Sequence, residues 1–161
     1  VLVCNAGLVG SVLPATVTPG ETLDTFLSAN AKSTFLVCRE VAKVMILHRY
    51  GRIITFASLA VPLHLEGAAA YAASKAAVIE VTKILAKELA PFGITCNAMS
   101  PALIMTDPAQ RMGQEWAERL LEKQTIKRLA TIEEICHLVA FLASPQSGMI
   151  TGQVIYMGLV D

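Results

Sequence analysis

Apolar residues fall in short blocks separated by polar, glycine- or proline-bearing turns, and the period within the blocks changes along the chain. Val1-Leu-Val-Cys4, Arg52–Ala57, Ile94–Met99 and Gln153–Met157 are brief apolar runs bounded by turn residues, which predicts four strands. Between them the spacing becomes helical. Glu21–Asn30 and Ser33–His48 predict two helices, the second with an apolar stripe of Leu36, Val37, Val41, Val44 and Met45. Ala68–Ala90 predicts one long helix, stopped by Pro91 and Gly93. Asp107–Gln124 predicts another, carrying the sole tryptophan, Trp116. Thr131-Ile-Glu-Glu134 has the form of a capping box and opens a last helix to about Ala143. Strands alternating with helices give an α/β fold, a parallel sheet covered by helices on both faces.

Composition narrows the possibilities. The chain is 161 residues, read as a single domain over 1–161, with 54% hydrophobic and 16% charged residues. Its mean hydropathy, +0.56, is high for a free-standing domain and suggests apolar surface meant to be covered. The net charge is zero and no basic stripe points to nucleic acid. Lys43, Glu80 and Lys83 interrupt the longest apolar stretches, so no membrane span is expected. The apolar start reads as a strand, not a signal peptide. Cys4, Cys38, Cys96 and Cys136 are scattered in apolar contexts and read as buried thiols of a reducing, cytoplasmic protein. His48, His64 and His137 are equally scattered, and no metal site is expected. His64, in the loop Leu59–Gly67, reads as a surface histidine; that loop is expected to form one wall of a cleft.

One pattern carries chemistry. Tyr71 and Lys75 stand four apart in the long helix and so share a face, with Ser58 at the end of the preceding strand. A phenol titrates near ~10 and is a poor proton donor or acceptor at neutral pH. A fixed ammonium beside it is expected to lower that value, and a serine hydroxyl can hold a carbonyl oxygen next to it. The set suits protonating a carbonyl while another group delivers a hydride. Spacing alone is weak evidence, because a tyrosine and a lysine four apart also arise on ordinary amphipathic helices.

The surroundings strengthen it. Asn5-Ala6-Gly7 follows the first strand, Asn30 lies within a helix, and Ile94-Thr-Cys-Asn97-Ala-Met-Ser-Pro101-Ala102 is a strand ending in a proline turn. With Ser58 and Tyr71-Ala-Ala-Ser-Lys75 these stand in the order and spacing of the short-chain dehydrogenase/reductase family. The chain resembles that family over essentially its whole length, and is especially similar to the 3-oxoacyl-(acyl-carrier-protein) reductase branch. The resemblance implies the C-terminal part of a doubly wound Rossmann fold, beginning at about the fourth strand. It implies Tyr71 as general acid/base and Lys75 as the group that lowers its pKa and meets the nicotinamide ribose. Ser58 would orient the carbonyl, and Asn30 would hold a water in a proton relay. Asn5, Ala6 and Gly7 would support the adenosine side of NAD or NADP, and Pro101, Ala102, Ile104 and Thr106 would line the nicotinamide. It also implies a homodimer or homotetramer formed through the Ser33–His48 and Ala68–Ala90 helices.

Three departures qualify the likeness. Ala102 stands where the family usually has glycine, and the tail Tyr156-Met-Gly-Leu-Val-Asp161 lacks the usual paired glycines. The sequence also contains no glycine-rich dinucleotide turn, nor the residue that selects NAD or NADP. The family's β-α-β-α-β-α, about 80 residues if a β-α-β unit takes roughly 30, has no counterpart here. A piece of a longer protein is the favoured account over a genuinely short product. Two functions remain: an NAD(P)-dependent oxidoreductase, or its catalytic half, acting on a carbonyl or secondary alcohol, or an inert truncated relative that serves only as an oligomerisation partner. For the enzyme, a 3-oxoacyl thioester is the first substrate reading and a sugar or other secondary alcohol the second. Arg49 and Arg52 could meet an acidic carrier, whereas Phe92 stands where such reductases often carry a basic residue.

Overall fold

The computed structural model describes residues 1–10, 12–104 and 113–160. Among these, strands β1 (Leu2–Cys4), β2 (Gly51–Phe56), β3 (Ile94–Ser100) and β4 (Val154–Tyr156) form one parallel sheet in the order β1-β2-β3-β4. Helices α1 (Gly20–Phe26) and α2 (Ser33–His48) connect β1 to β2, and α3 (Ala69–Leu89) connects β2 to β3. Helices α4 (Gln114–Lys123) and α5 (Ile132–Ala143) precede β4.

Alternation along the strands sorts side chains to the two faces. Ile53, Ile94 and Cys96 pack with Cys38, Ala42 and Met45 of α2 and with Leu85, Ala86 and Leu89 of α3. Ile54 and Met99 point the other way, against Ile135 and Leu142 of α5. The sheet is therefore covered on both faces, as the alternating pattern requires. Buried polar groups are tied off in pairs and caps, except the Ser100 hydroxyl, which has no hydrogen-bond partner among the described residues. Thr55 and Thr82 share a 2.7 Å hydrogen bond, and Asn97 fastens the approach to β4 through Ile150 O and Gln153 N. At α5 the capping box is present, and Arg128 holds the Glu134 carboxyl down at about 2.

Several expectations need correction. The two helices before β2 run together: Leu27–Lys32 is wound wider, and Ser33 N–H reaches back five residues to Ser28 O. The buried stripe of α2 is Thr34, Cys38, Ala42 and Met45, while Leu36, Val37 and Val44 are exposed. Small side chains let this helix lie close to the sheet and leave the bulkier ones outside. Cys136 is exposed and Cys4 half-buried, so only Cys38 and Cys96 fit the reading of buried thiols. Arg52 is buried, with its guanidinium over the Tyr50 ring and donating to Gly51 O and Ser144 O, so it offers no surface charge to a carrier. Of the expected helix Asp107–Gln124, residues 107–112 lie outside the described residues, and so does Thr106.

Gly93 shows why the long helix stops where it does. Its φ is +73°, and a Cβ there would sit 2.6 Å from Arg49 O. No other residue makes that turn without strain. Among the described residues, no helix is long and apolar enough to cross a membrane, and no three His, Cys, Asp or Glu side chains gather as metal ligands.

Candidate active site

The carboxyl ends of the strands meet the first turns of α3. β2 ends at Phe56, Ala57 N–H still donates to Met99 O across the sheet, and Ser58 follows in a turn whose Oγ accepts from Ala60 N–H at 3.2 Å. Tyr71 and Lys75 lie one turn apart near the start of α3. Ser58 and Tyr71 line the same cavity, and the Ser58 hydroxyl acts on the Tyr71 phenol to lower its pKa. Lys75 is buried, and its Nζ donates to Phe56 O at 2.9 Å. The helix thus places both groups over the end of β2, because the i, i+4 face that carries them is the one that meets the sheet.

Asn30 sits in the widened turn and is 1% exposed. Its Oδ1 accepts from Leu8 N–H at 2.6 Å, and its Nδ2 donates to Leu8 O and to Ser74 Oγ. Ser74 Oγ in turn donates to Tyr71 O at 2.7 Å. The loop after β1, the widened turn and the Tyr71 backbone are therefore joined by one hydrogen-bonded chain. Phe26 adds an apolar brace, its ring edge-on to Tyr71 with centroids 5.7 Å apart. A Cβ on Gly10 would fall 2.1 Å from Phe26 Cζ, so glycine is what lets the loop close over that ring.

A cavity of 270 Å3 brings together Asn5, Gly7, Ser58, Tyr71, Lys75, Pro101, Ala102 and Ile104. Asn30 and Ala6 do not line it. His64 is exposed and outside it. The leucine-rich loop after Ser58 forms one wall, through Leu59, Ala60 and Leu65. Sequence reasoning missed Val9 and Val12 from the first loop; Trp116 and Leu120 from α4 line the cavity as well. For α4 a signal was present: Trp116, Ala117 and Leu120 interrupt an otherwise charged helix at helical spacing.

The electrostatics correct one expectation. Burial pushes the Tyr71 phenol up from its ordinary value, and the Ser58 hydrogen bond only partly offsets this. Lys75 does not lower it here; its ammonium is engaged by Phe56 O, and burial lowers its own pKa. Tyr71 is therefore a neutral phenol, a proton donor rather than a phenolate.

The donor set fits the nicotinamide end of a dinucleotide. Pro101, Ala102 and Ile104 offer an apolar surface for a flat ring, and the Tyr71 hydroxyl and Lys75 ammonium offer donors for ribose oxygens. Ala102 is buried, and a Cβ on Gly158 would be 3.2 Å from its methyl, so that methyl occupies a crowded corner. Nothing in the sequence supplies the glycine turn that would receive the pyrophosphate.

Sheet and helices together define a Rossmann-type α/β fold. A family model described as Enoyl-(Acyl carrier protein) reductase matches residues 1–158. A 3-oxoacyl-(acyl-carrier-protein) reductase of Rickettsia conorii is 39% identical over 157 residues, covering 98% of this chain and 65% of the relative. A 2-dehydro-3-deoxy-L-rhamnonate dehydrogenase (NAD(+)) of Sphingomonas sp. is 34% identical over 151 residues, 94% of this chain and 61% of the relative. The crystal structure of a 3-oxoacyl-(acyl-carrier protein) reductase from Brucella melitensis superposes with a TM-score of 0.89 at 28% identity, over 98% of this chain and 61% of that one. The chain belongs to the short-chain dehydrogenase/reductase family and stands close to its 3-oxoacyl-(acyl-carrier-protein) reductases. It spans less than two thirds of the length of these relatives.

Proposed function

We propose that this chain is the catalytic half of an NAD(P)-dependent oxidoreductase that acts on a carbonyl or secondary alcohol. The observation that carries this reading is the convergence of Ser58, Tyr71 and Lys75 on one cavity that also includes the Pro101–Ile104 segment. When bound there, the nicotinamide supplies or takes up the hydride. Ser58 Oγ and the Tyr71 phenol hold the carbonyl oxygen. Tyr71 gives that oxygen its proton in reduction and takes it back in oxidation. Lys75 would meet a ribose oxygen of the nucleotide and, beside the phenol, would offset part of the rise that burial gives it. Asn30 fixes the Leu8 backbone and Ser74, holding the helix turn that presents Tyr71; its part in holding the water of a proton relay rests on the family resemblance alone. Asn5, Ala6 and Gly7 would border the adenosine side, and Pro101, Ala102, Ile104 and Thr106 the ring.

The relatives' names give two substrate classes, a 3-oxoacyl group on a carrier protein and a sugar acid. Both are carbonyl–alcohol conversions, which supports the reaction type. Pairing of subunits through α2 and α3 is supported by the apolar residues α2 turns outward, Phe35, Leu36, Val37 and Val44. That surface is also what favours the second reading, an inert partner that only oligomerises. The same reading makes the parent protein a cytoplasmic enzyme working on a small molecule.

Lys75→Met tests the role given to Lys75 in the first reading. In a longer parent protein that carries the dinucleotide turn, it is expected to weaken cofactor binding and slow turnover together. The pH–rate profile of the remaining activity should move to higher pH, because the phenol loses its cationic neighbour and titrates higher. Full activity with an unmoved profile would make Lys75 an ordinary structural lysine.

A further inference from the structure

We propose that Cys4 and Cys38 form a redox-sensitive pair that a hydroperoxide closes into a disulfide, and that the closure loosens the loop carrying Asn5 and Gly7 at the cavity. Formation of the bond does not depend on the reaction proposed above, whereas the use of that loop by a nucleotide does.

The two thiols come from different elements and are brought together by the fold. Cys4 ends β1, and strand alternation turns its side chain, with that of Leu2, toward the face covered by α2. Cys38 lies on the buried stripe of α2, one turn from Thr34 and one from Ala42. The two sulfurs are 3.7 Å apart although the residues are separated by 34 positions in the chain. Their surroundings differ. Cys38 is 0% exposed, whereas Cys4 is half-buried on the strand that begins the sheet order, so an oxidant meets Cys4 first. The shared S–H bond brings the Cys4 thiol below its ordinary value and pushes that of Cys38 up, which makes Cys4 the sulfur that ionises.

The chemistry balances in two steps. The Cys4 thiolate attacks the O–O bond of the hydroperoxide and becomes a sulfenic acid, and the other oxygen leaves as an alcohol, or as water from hydrogen peroxide, with the thiol's proton. The Cys38 sulfur then displaces the sulfenic oxygen, the S–S bond forms, and water leaves with the Cys38 proton. Both sulfurs are oxidised and one peroxide is reduced. A thiol reductant reverses the bond, as suits a transient disulfide in a reducing compartment. Closure brings the sulfurs from 3.7 Å to about 2 Å. Cys38 is hemmed in by Ile53, Leu85 and Cys96 in the core, so the movement falls on Cys4 and the end of β1. Three residues further on, the loop lies directly against the site. A Cβ on Gly7 would be 3.1 Å from Asn30 Oδ1 and 3.2 Å from Lys75 Nζ. Leu8 is clamped by Asn30 through both its N–H and its carbonyl. A pull on Cys4 is therefore carried to the Leu8–Asn30 clamp.

The experiment treats the reduced 161-residue chain with hydrogen peroxide, alkylates the remaining thiols after unfolding, and maps the peptides by mass. The expected result is a link within one chain between the peptides of Cys4 and Cys38, two of the four cysteines lost to alkylation, and full recovery with dithiothreitol. Cys38→Ala removes the second sulfur, so Cys4 should stop as a sulfenic acid and be captured by dimedone, which the wild-type chain is not. Cys4→Ser changes one atom at a half-buried position and serves if the core variant fails to fold; there Cys38 should stay reduced. In the oxidised wild-type chain the Leu8 amide should exchange its hydrogen about tenfold faster. A dimedone adduct on wild-type Cys4 without the link, a link from Cys38 to Cys96, or oxidation confined to the exposed Cys136 would overturn the proposal. Unchanged Leu8 exchange in the linked chain would overturn the coupling to the cavity. The carbonyl chemistry fails separately, since none of these measurements depends on nucleotide or turnover.

Discussion

Tyr71→Phe is expected to abolish carbonyl reduction in a longer parent of this chain while leaving nucleotide binding close to wild type. Burial holds the Tyr71 phenol protonated, and it shares the cavity with Ser58, so it is the hydroxyl proposed to meet a bound carbonyl oxygen. Phenylalanine keeps the ring, and with it the edge contact to Phe26 at 5.7 Å, but removes the proton. A positioned general acid contributes roughly 100- to 10,000-fold, so a loss of that order is expected in kcat. The Ser74 bond to Tyr71 O is a backbone contact and survives the change, which keeps the helix turn intact. Steady-state kinetics with a nucleotide titration in the same samples check this. Wild-type turnover in the variant would remove Tyr71 from the mechanism.

The second large effect concerns the chain by itself. The 161-residue polypeptide is expected to bind neither NADH nor NADPH in the micromolar range. What it offers a dinucleotide is the cavity around Tyr71, Lys75 and Pro101–Ile104, which meets the nicotinamide end. A pyrophosphate is ordinarily held by a glycine turn and a helix N-terminus, and no such turn occurs in the sequence. Exposed Val1 and, on β1, Val3, together with the outward apolar residues of α2, should also make the chain prone to association. Calorimetry or nucleotide-fluorescence titration reads the binding directly. A micromolar Kd would show that the cofactor is held by residues other than those assigned here.

Much of the fold was legible because the signals were local. Short apolar runs between turns marked β2 and β3, and Thr131 with Glu134 marked the start of α5 by a hydrogen-bond pattern that depends on four consecutive residues. The pairing of Tyr71 with Lys75 follows from helix geometry alone. The face of α2 was not legible, because apolar residues surround that helix on nearly every side. What decided it was size, Thr34, Cys38 and Ala42 being small enough to approach the sheet. Arg52 looked like surface charge, yet the Tyr50 ring and two carbonyls hold it inside. The direction of the Tyr71 shift was misjudged for a similar reason, since neither its burial nor the capture of Lys75 by Phe56 O is encoded in their spacing. The cavity walls come from residues about a hundred positions apart, Val12 and Trp116 among them, and no window of sequence joins these.

The reaction itself is tested most directly by measuring product against nucleotide. A longer parent protein containing this chain and a dinucleotide turn would be supplied with NADPH or NADH and a panel of ketones, aldehydes and 3-oxoacyl thioesters. The account predicts one alcohol formed for each nucleotide oxidised, with at least one member of the panel. A parent that binds the nucleotide, keeps its fold and reduces none of them would contradict the assignment of this site to carbonyl chemistry.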